Sequence, residues 1–382
     1  MLASVMHTPM ISTPPLIPQL APQSCLNADM AEHADNACSR CRDVCPAGAI
    51  QLSDTAAPLP TLDTTACTGC TACVSICPTD AMRHAAVRPA ALVRQCMQLT
   101  QQGKTVITVA CSATNDANHD ATADITILCH AAWTPMLLAS LAAEGVKKLY
   151  LDGIDRCGDC PMRFGAEIMQ QTEKDYAALN QALGIHLAIL RRPHKTEAIA
   201  PASDADEPER RAFFRTLIPS LAHGAARASE QLTQAARLAA SQQIAEADAN
   251  PKAAQSLLPV RLQLFLRALP KLQSNFMPIP AMPSLPFGAI QADARCTACG
   301  ECIEQCPTRA LQLREFGTNK ILEFRADACI GCSRCIDTCP EQALEALPGI
   351  SLPAILTGKS RPLVMVACPN PTDMNKSRDE EE

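Results

Sequence analysis

The sequence predicts a mixed α/β and α+β protein, in which two small cysteine-rich modules flank a parallel-sheet α/β domain and a helical spacer. Three observations predict it. Twenty-two cysteines in 382 residues fall mostly into four look-alike segments, two towards each end of the chain. Between the pairs, apolar runs of strand length alternate with helical stretches. A polar, Pro-containing linker and an Ala-rich helical stretch then lead to the second pair. The expected boundaries are a disordered leader at 1–24, a first module at 25–85, the sheet domain at 86–195, and linker and spacer at 196–286. A second module follows at 287–347, and a strand with an acidic tail at 348–382.

Composition excludes several classes. Net charge is −6 and only 3% of residues are aromatic, so neither the basic patch nor the stacking rings of a nucleic-acid binder are present. No uncharged apolar run approaches a membrane span. The opening, interrupted by Pro9, Pro14, Pro15, Pro18 and Pro22, has no positive start and reads as a leader and not as an export signal. Arg191–Arg192 and Arg210–Arg211 lie too far along the chain for twin-arginine export. The expected location is the cytoplasm, where thiols stay reduced and grouped cysteines bind metal.

The four segments are Cys38-Ser-Arg-Cys41-Arg-Asp-Val-Cys45-Pro46, Cys67-Thr-Gly-Cys70-Thr-Ala-Cys73-Val-Ser-Ile-Cys77-Pro78, Cys296-Thr-Ala-Cys299-Gly-Glu-Cys302-Ile-Glu-Gln-Cys306-Pro307 and Cys329-Ile-Gly-Cys332-Ser-Arg-Cys335-Ile-Asp-Thr-Cys339-Pro340. After each Cys-Pro come two variable residues, an alanine and an apolar residue: Ala49-Ile50, Ala81-Met82, Ala310-Leu311 and Ala343-Leu344. Three thiolates on one tight loop suit three irons of a cubane, and the cysteine before proline supplies the fourth to a partner cluster. Proline is expected to open a short helix there. Gly69, Ala72, Ala298, Gly300 and Gly331 keep the loops small enough for amides to approach sulfur. Zinc is the alternative occupant, though zinc sites usually pair two Cys-x-x-Cys knuckles.

These segments resemble bacterial-type ferredoxins with two [4Fe–4S] clusters, once at about 25–85 and again at about 287–347. The resemblance implies a pseudo-symmetric fold with strands near 49–52 and 311–313, and four clusters in all. It implies one ligand set of Cys296, Cys299, Cys302 and Cys339, and a second of Cys329, Cys332, Cys335 and Cys306. In the first module it implies Cys67, Cys70, Cys73 and Cys45. The remaining set has Cys38, Cys41 and Cys77, with Asp35 where the first cysteine belongs. Either Cys25 loops back as the missing ligand or Asp35 ligates. The softer thiolate favours Cys25, while an incidental Cys25 in the leader stays open.

In the middle, helices are expected at 89–102, from the Thr134-Pro135 cap to about 144, and at 161–183. Strands are expected at 105–111, 124–129, 147–152 and 185–190, giving a parallel sheet with helices on both faces. Cys111, Cys129, Cys157 and Cys160 then fall at the carboxyl ends of strands, where open parallel sheets bind ligands. They could hold a further [2Fe–2S] or [4Fe–4S] cluster, or could simply be buried. Cys129 and the Cys157-Gly-Asp-Cys160 pair after an Asp-Gly turn resemble the small iron–sulfur (delta) subunit of hydrogenases linked to heterodisulfide reductase. Cys96 reads as core, and Cys368 has no companion.

Beyond the linker at 196–208, helical patterns run over 209–249 and 260–269, and a last strand over 362–368. The pattern points to an iron–sulfur electron-transfer protein or oxidoreductase subunit, exchanging electrons with donor and acceptor oxidoreductases. A catalytic redox subunit with its site at the strand ends, or a cofactor-assembly or redox-sensing protein, are the alternatives. No base, nucleophile or phosphate loop is recognisable for catalysis.

Overall fold

Each cysteine-rich module is organised by short antiparallel ladders on either side of its cysteine loops. The computed structural model describes residues 17–28, 37–53, 57–111, 123–192, 258–272 and 278–367. In the first module β1 (Gln19–Leu20) pairs with β4 (Met82–Arg83), and β2 (Ile50–Leu52) with β3 (Pro60–Leu62). The second module repeats this. There β10 (Ile290–Ala292) pairs with β13 (Leu344–Ala346), and β11 (Leu311–Phe316) forms a hairpin with β12 (Asn319–Phe324). The final strand, β15 (Arg361–Ala367), extends that hairpin, while β9 (Ile279–Pro280) pairs with β14 (Gly349–Ile350).

Residues 19–24 correct one boundary. They belong to the first module and not to a disordered leader, because β1 takes the place that β10 holds in the second module.

Four one-turn helices follow a common rule. They are α1 (Arg40–Asp43), α2 (Ala72–Ile76), α7 (Glu301–Glu304) and α8 (Arg334–Asp337). Each begins one residue before the third loop cysteine and stops before Cys-Pro. The helix therefore precedes the proline, against the expectation that proline would open it. The reason is local: Cys77, for example, turns extended at φ −63°, ψ 120° and ends α2.

The middle domain carries the parallel sheet. Its strand order is β6 (Ile125–Ile127), β5 (Val106–Cys111), β7 (Lys148–Asp152), β8 (Ala188–Arg192), all parallel. Central β5 has neighbours on both sides, and Ile107 through Cys111 are all buried, which explains a run that is apolar but for Thr108. Helices α3 (Pro89–Gln101), α4 (Pro135–Ala143) and α5 (Gly165–Leu183) complete the domain. Thr134 caps α4 by accepting the Leu137 N–H at 3.3 Å. Helix α5 starts four residues later than its proline suggests, because residues 157–164 are turns and Arg163 is left-handed at φ +55°.

One continuous apolar core runs through the sheet domain and the second module, with Trp133, Phe265 and Phe324 fully buried. A smaller core in the first module joins Ile50, Val74, Ala81 and Met82 to Cys41, Cys73 and Cys77. All described residues belong to one compact unit, Met1–His194 with Leu258–Glu382. Helix α6 (Val260–Ala268) packs within it, stacking Phe265 on Phe287 at 5.7 Å. Cys96 is wholly buried in this core, as expected of a packing residue. The linker, the 209–249 helical stretch, Asp35 and Cys368 lie outside the described residues. Among the described residues no helix is long and apolar enough to cross a membrane.

Candidate metal centres

The repeated alanine after each Cys-Pro has a direct structural role. The Ala49 N–H donates to Cys45 Sγ at 3.3 Å, Ala81 to Cys77 at 3.2 Å, Ala310 to Cys306 at 3.2 Å and Ala343 to Cys339 at 3.3 Å. The residue before each alanine, Gly48, Asp80, Arg309 or Gln342, is left-handed with φ between +47° and +61°. That turn aims the N–H back at sulfur, and the alanines are at most 2% exposed, which leaves no room for a larger side chain.

The three complete loops share a second backbone signature. The residues flanking the middle cysteine are left-handed on both sides: Gly69 and Thr71, Ala298 and Gly300, Gly331 and Ser333. Such φ values are costly for Thr, Ala and Ser, and this kind of strain concentrates at functional sites. Gly331 is required for a further reason, since a Cβ there would meet the Phe287 carbonyl oxygen at 2.9 Å.

These turns gather the thiols into groups. Burial pushes Cys302 up to about 12, and repulsion from neighbouring Cys296, Cys299 and Cys339 adds to it. Burial likewise raises Cys329 to about 11 and raises Cys335, beside Cys332 and Cys306. Cys73 is raised by burial with Cys70, Cys45 and Cys67 among its neighbours. Cys41 goes up to about 12 by burial, with Cys38, Cys77 and Cys25 around it. Desolvated, mutually repelling thiols become thiolates together only when cations collect them, and this donor set fits a soft metal cluster. Among the described residues no three His, Cys, Asp or Glu side chains are drawn together tightly enough for one ion.

Cys25 lies close enough to Cys38, Cys41 and Cys77 for the four thiols to act on one another. The residue that brings it there, Asn27, is not marked by any sequence pattern. Its side chain is fully buried, donates to the carbonyls of Cys38 (3.1 Å) and Pro58 (2.9 Å), and accepts the Cys38 N–H at 2.8 Å. A second unanticipated residue is Arg261, 3% exposed at the start of α6. It donates to the Cys77 carbonyl at 3.2 Å and to Asp80 at 3.1 Å, bracing the Cys77 turn.

In the middle domain Cys111 ends β5, Cys129 follows β6, and Cys157 and Cys160 follow β7. Burial pushes Cys129 up to about 12, with repulsion from Cys111 and Cys157, and Cys160 adjoins Cys157. A Cβ on Gly165 would stand 2.9 Å from Cys129 Sγ and 3.2 Å from Cys157 Sγ, so the glycine at the start of α5 makes room for both sulfurs. Cys157 also receives backbone hydrogen bonds from Ala166 and Gly165, in the first turn of that helix.

Residues 36–81 and 295–343 match the 4Fe-4S dicluster domain. The chain carries two dicluster domains. No curated protein and no solved structure matches it. The dicluster domains bring [4Fe–4S] clusters, at least two of them, and support a role in iron–sulfur electron transfer. Neither matched segment includes the sheet domain.

Proposed function

We propose that the chain relays electrons through four [4Fe–4S] clusters, as an electron-transfer protein or a subunit of a redox complex. The carrying observation is that each thiol group combines loop cysteines with a Cys-Pro cysteine from the other half of its dicluster domain. The ligand sets we propose are Cys25, Cys38, Cys41 and Cys77; Cys67, Cys70, Cys73 and Cys45; Cys296, Cys299, Cys302 and Cys339; and Cys329, Cys332, Cys335 and Cys306. A fifth site, of Cys111, Cys129, Cys157 and Cys160, is supported by the sulfur-accommodating Gly165 and the amides at the start of α5.

A bound [4Fe–4S] cluster takes up and releases single electrons. The protein sets where and how readily. Ala49, Ala81, Ala310 and Ala343 give N–H bonds to sulfur, which stabilise added negative charge. Cys299 is the exposed thiol among the described cysteines, so its site faces a redox partner most directly. Donor and acceptor oxidoreductases are the partners this arrangement calls for.

Anaerobically purified or reconstituted protein is expected to be brown and to carry about sixteen irons per chain, four for each cubane, and more if the middle site fills. Zinc-rich, iron-poor protein after reconstitution would overturn the proposal.

A further inference from the structure

The two dicluster domains meet at Arg40. Its Nη2 donates to the carbonyl of Gly331 at 2.7 Å, although 291 positions separate the two residues. Arg40 lies between Cys38 and Cys41 in the first domain, and Gly331 immediately precedes Cys332 in the second. Gly331 is closely packed, since a Cβ on it would stand 2.9 Å from the Phe287 carbonyl oxygen and 3.5 Å from the Gly288 nitrogen. Arg40 and Gly331 also line one cavity of about 1110 Å³, together with Cys45, Cys306, Cys332 and Cys335.

The guanidinium is only partly satisfied by protein. Nη1 is buried and has no hydrogen-bond partner among the described residues. The charged group thus lies within the cysteine loop of the first domain and bonds the backbone just before Cys332 of the second. The neighbouring Arg42 differs: it is half exposed and pairs with Asp43 at 2.9 Å. Two anionic clusters held in adjacent domains repel, and each reduction adds to the repulsion. A cation fixed between them offsets this on both sides at once, in surroundings less screening than water.

We propose that Arg40 is the charge bridge that joins the two dicluster domains into one relay and sets the reduction potentials of the clusters on both sides of it. This rests on the four-cluster reading above. In that reading the two clusters are those of Cys25, Cys38, Cys41 and Cys77 and of Cys329, Cys332, Cys335 and Cys306. Arg40 is a positioning residue and takes no electron itself.

The test is a redox titration of the full-length chain followed by EPR, with iron counted first. Cys38→Ser and Cys332→Ser identify the two signals concerned. With Arg40→Gln, iron content is expected to hold and both of those midpoint potentials to fall, the other two staying put. Arg40→Lys keeps the charge and loses the paired donors, so a smaller fall in the same two potentials is expected. Arg42→Gln is expected to change neither. Unchanged potentials in the Arg40 variants, or a fall in only one of the two, would overturn the bridge. Should Arg40→Gln shed iron, Arg40→Lys decides by the same two outcomes. Wild-type protein holding far fewer than about sixteen irons would instead defeat the four-cluster reading.

Discussion

Asn27 and Cys38 are joined side chain to backbone in both directions: the Asn27 amide donates to the Cys38 carbonyl and accepts its N–H. That exchange fastens the turn bearing Cys25 beside the loop bearing Cys38 and Cys41, across a span that includes Asp35. In the proposed ligand set this supplies the fourth thiol that the first segment's own spacing lacks.

Asn27→Ala leaves the Cys38 N–H and two carbonyls without their partner in a buried place, at a cost of about 2–3 kcal/mol. One cluster should be lost from the iron count and from the EPR spectrum, as with Cys25→Ser. Asp35→Ser should leave both unchanged. The opposite pattern would move the ligand role to Asp35.

Gly165→Ala tests the middle site. Alanine within a helix normally stabilises relative to glycine by roughly 0.5–1 kcal/mol. Here the added methyl would lie 2.9 Å from Cys129 Sγ and 3.2 Å from Cys157 Sγ. A loss of about 1–3 kcal/mol is expected from such overpacking, measured by denaturant unfolding. Iron beyond that of the dicluster domains should vanish, while Cys96→Ala should leave it intact.

Arg261→Met removes the buried partner of Asp80 and of the Cys77 carbonyl. Breaking a buried pair from one side costs about 3 kcal/mol or more. Asp80 is partly exposed, so the lower end is expected. The earliest sign should be faster bleaching of the first domain's clusters under mild denaturant, with the second domain's signals retained.

His130 is expected to make the sheet domain acid-sensitive. Its Nδ1 accepts the Trp133 indole N–H at 3.3 Å, which leaves Nε2 to donate to the Asp152 carbonyl at 3.0 Å. Burial holds its pKa below the ordinary 6.5, so the neutral ring is the folded form. The unfolded chain then binds more protons below pH 6.5, and stability falls with pH through that range until the folded ring also titrates. Unfolding measured from pH 7.5 down to 5 should show this loss. His130→Phe should be less stable throughout and have a shallower slope over the same range.

Much of the chemistry was legible in the sequence, because its determinants are local. Cysteines two residues apart, a Cys-Pro and a following alanine all lie within one or two turns of chain, so their spacing alone specifies a multi-iron donor set. The strands β5 to β8 were likewise legible, since a short β-branched and apolar run such as 107–111 suits a buried strand. Local pattern misleads at the prolines: Pro78 suggests a helix start, but left-handed Asp80 two positions on makes a turn that serves the Cys77 sulfur. Tertiary structure alone decided that Cys25 joins Cys38, that Gly165 makes room for Cys129, and that Arg40 reaches Gly331. Each of these depends on where packed backbone places two distant segments, and no periodicity in 26–37 or around Arg40 encodes that placement. Residue spacing determines which atoms a short loop can present; only the packed core determines which loops face one another.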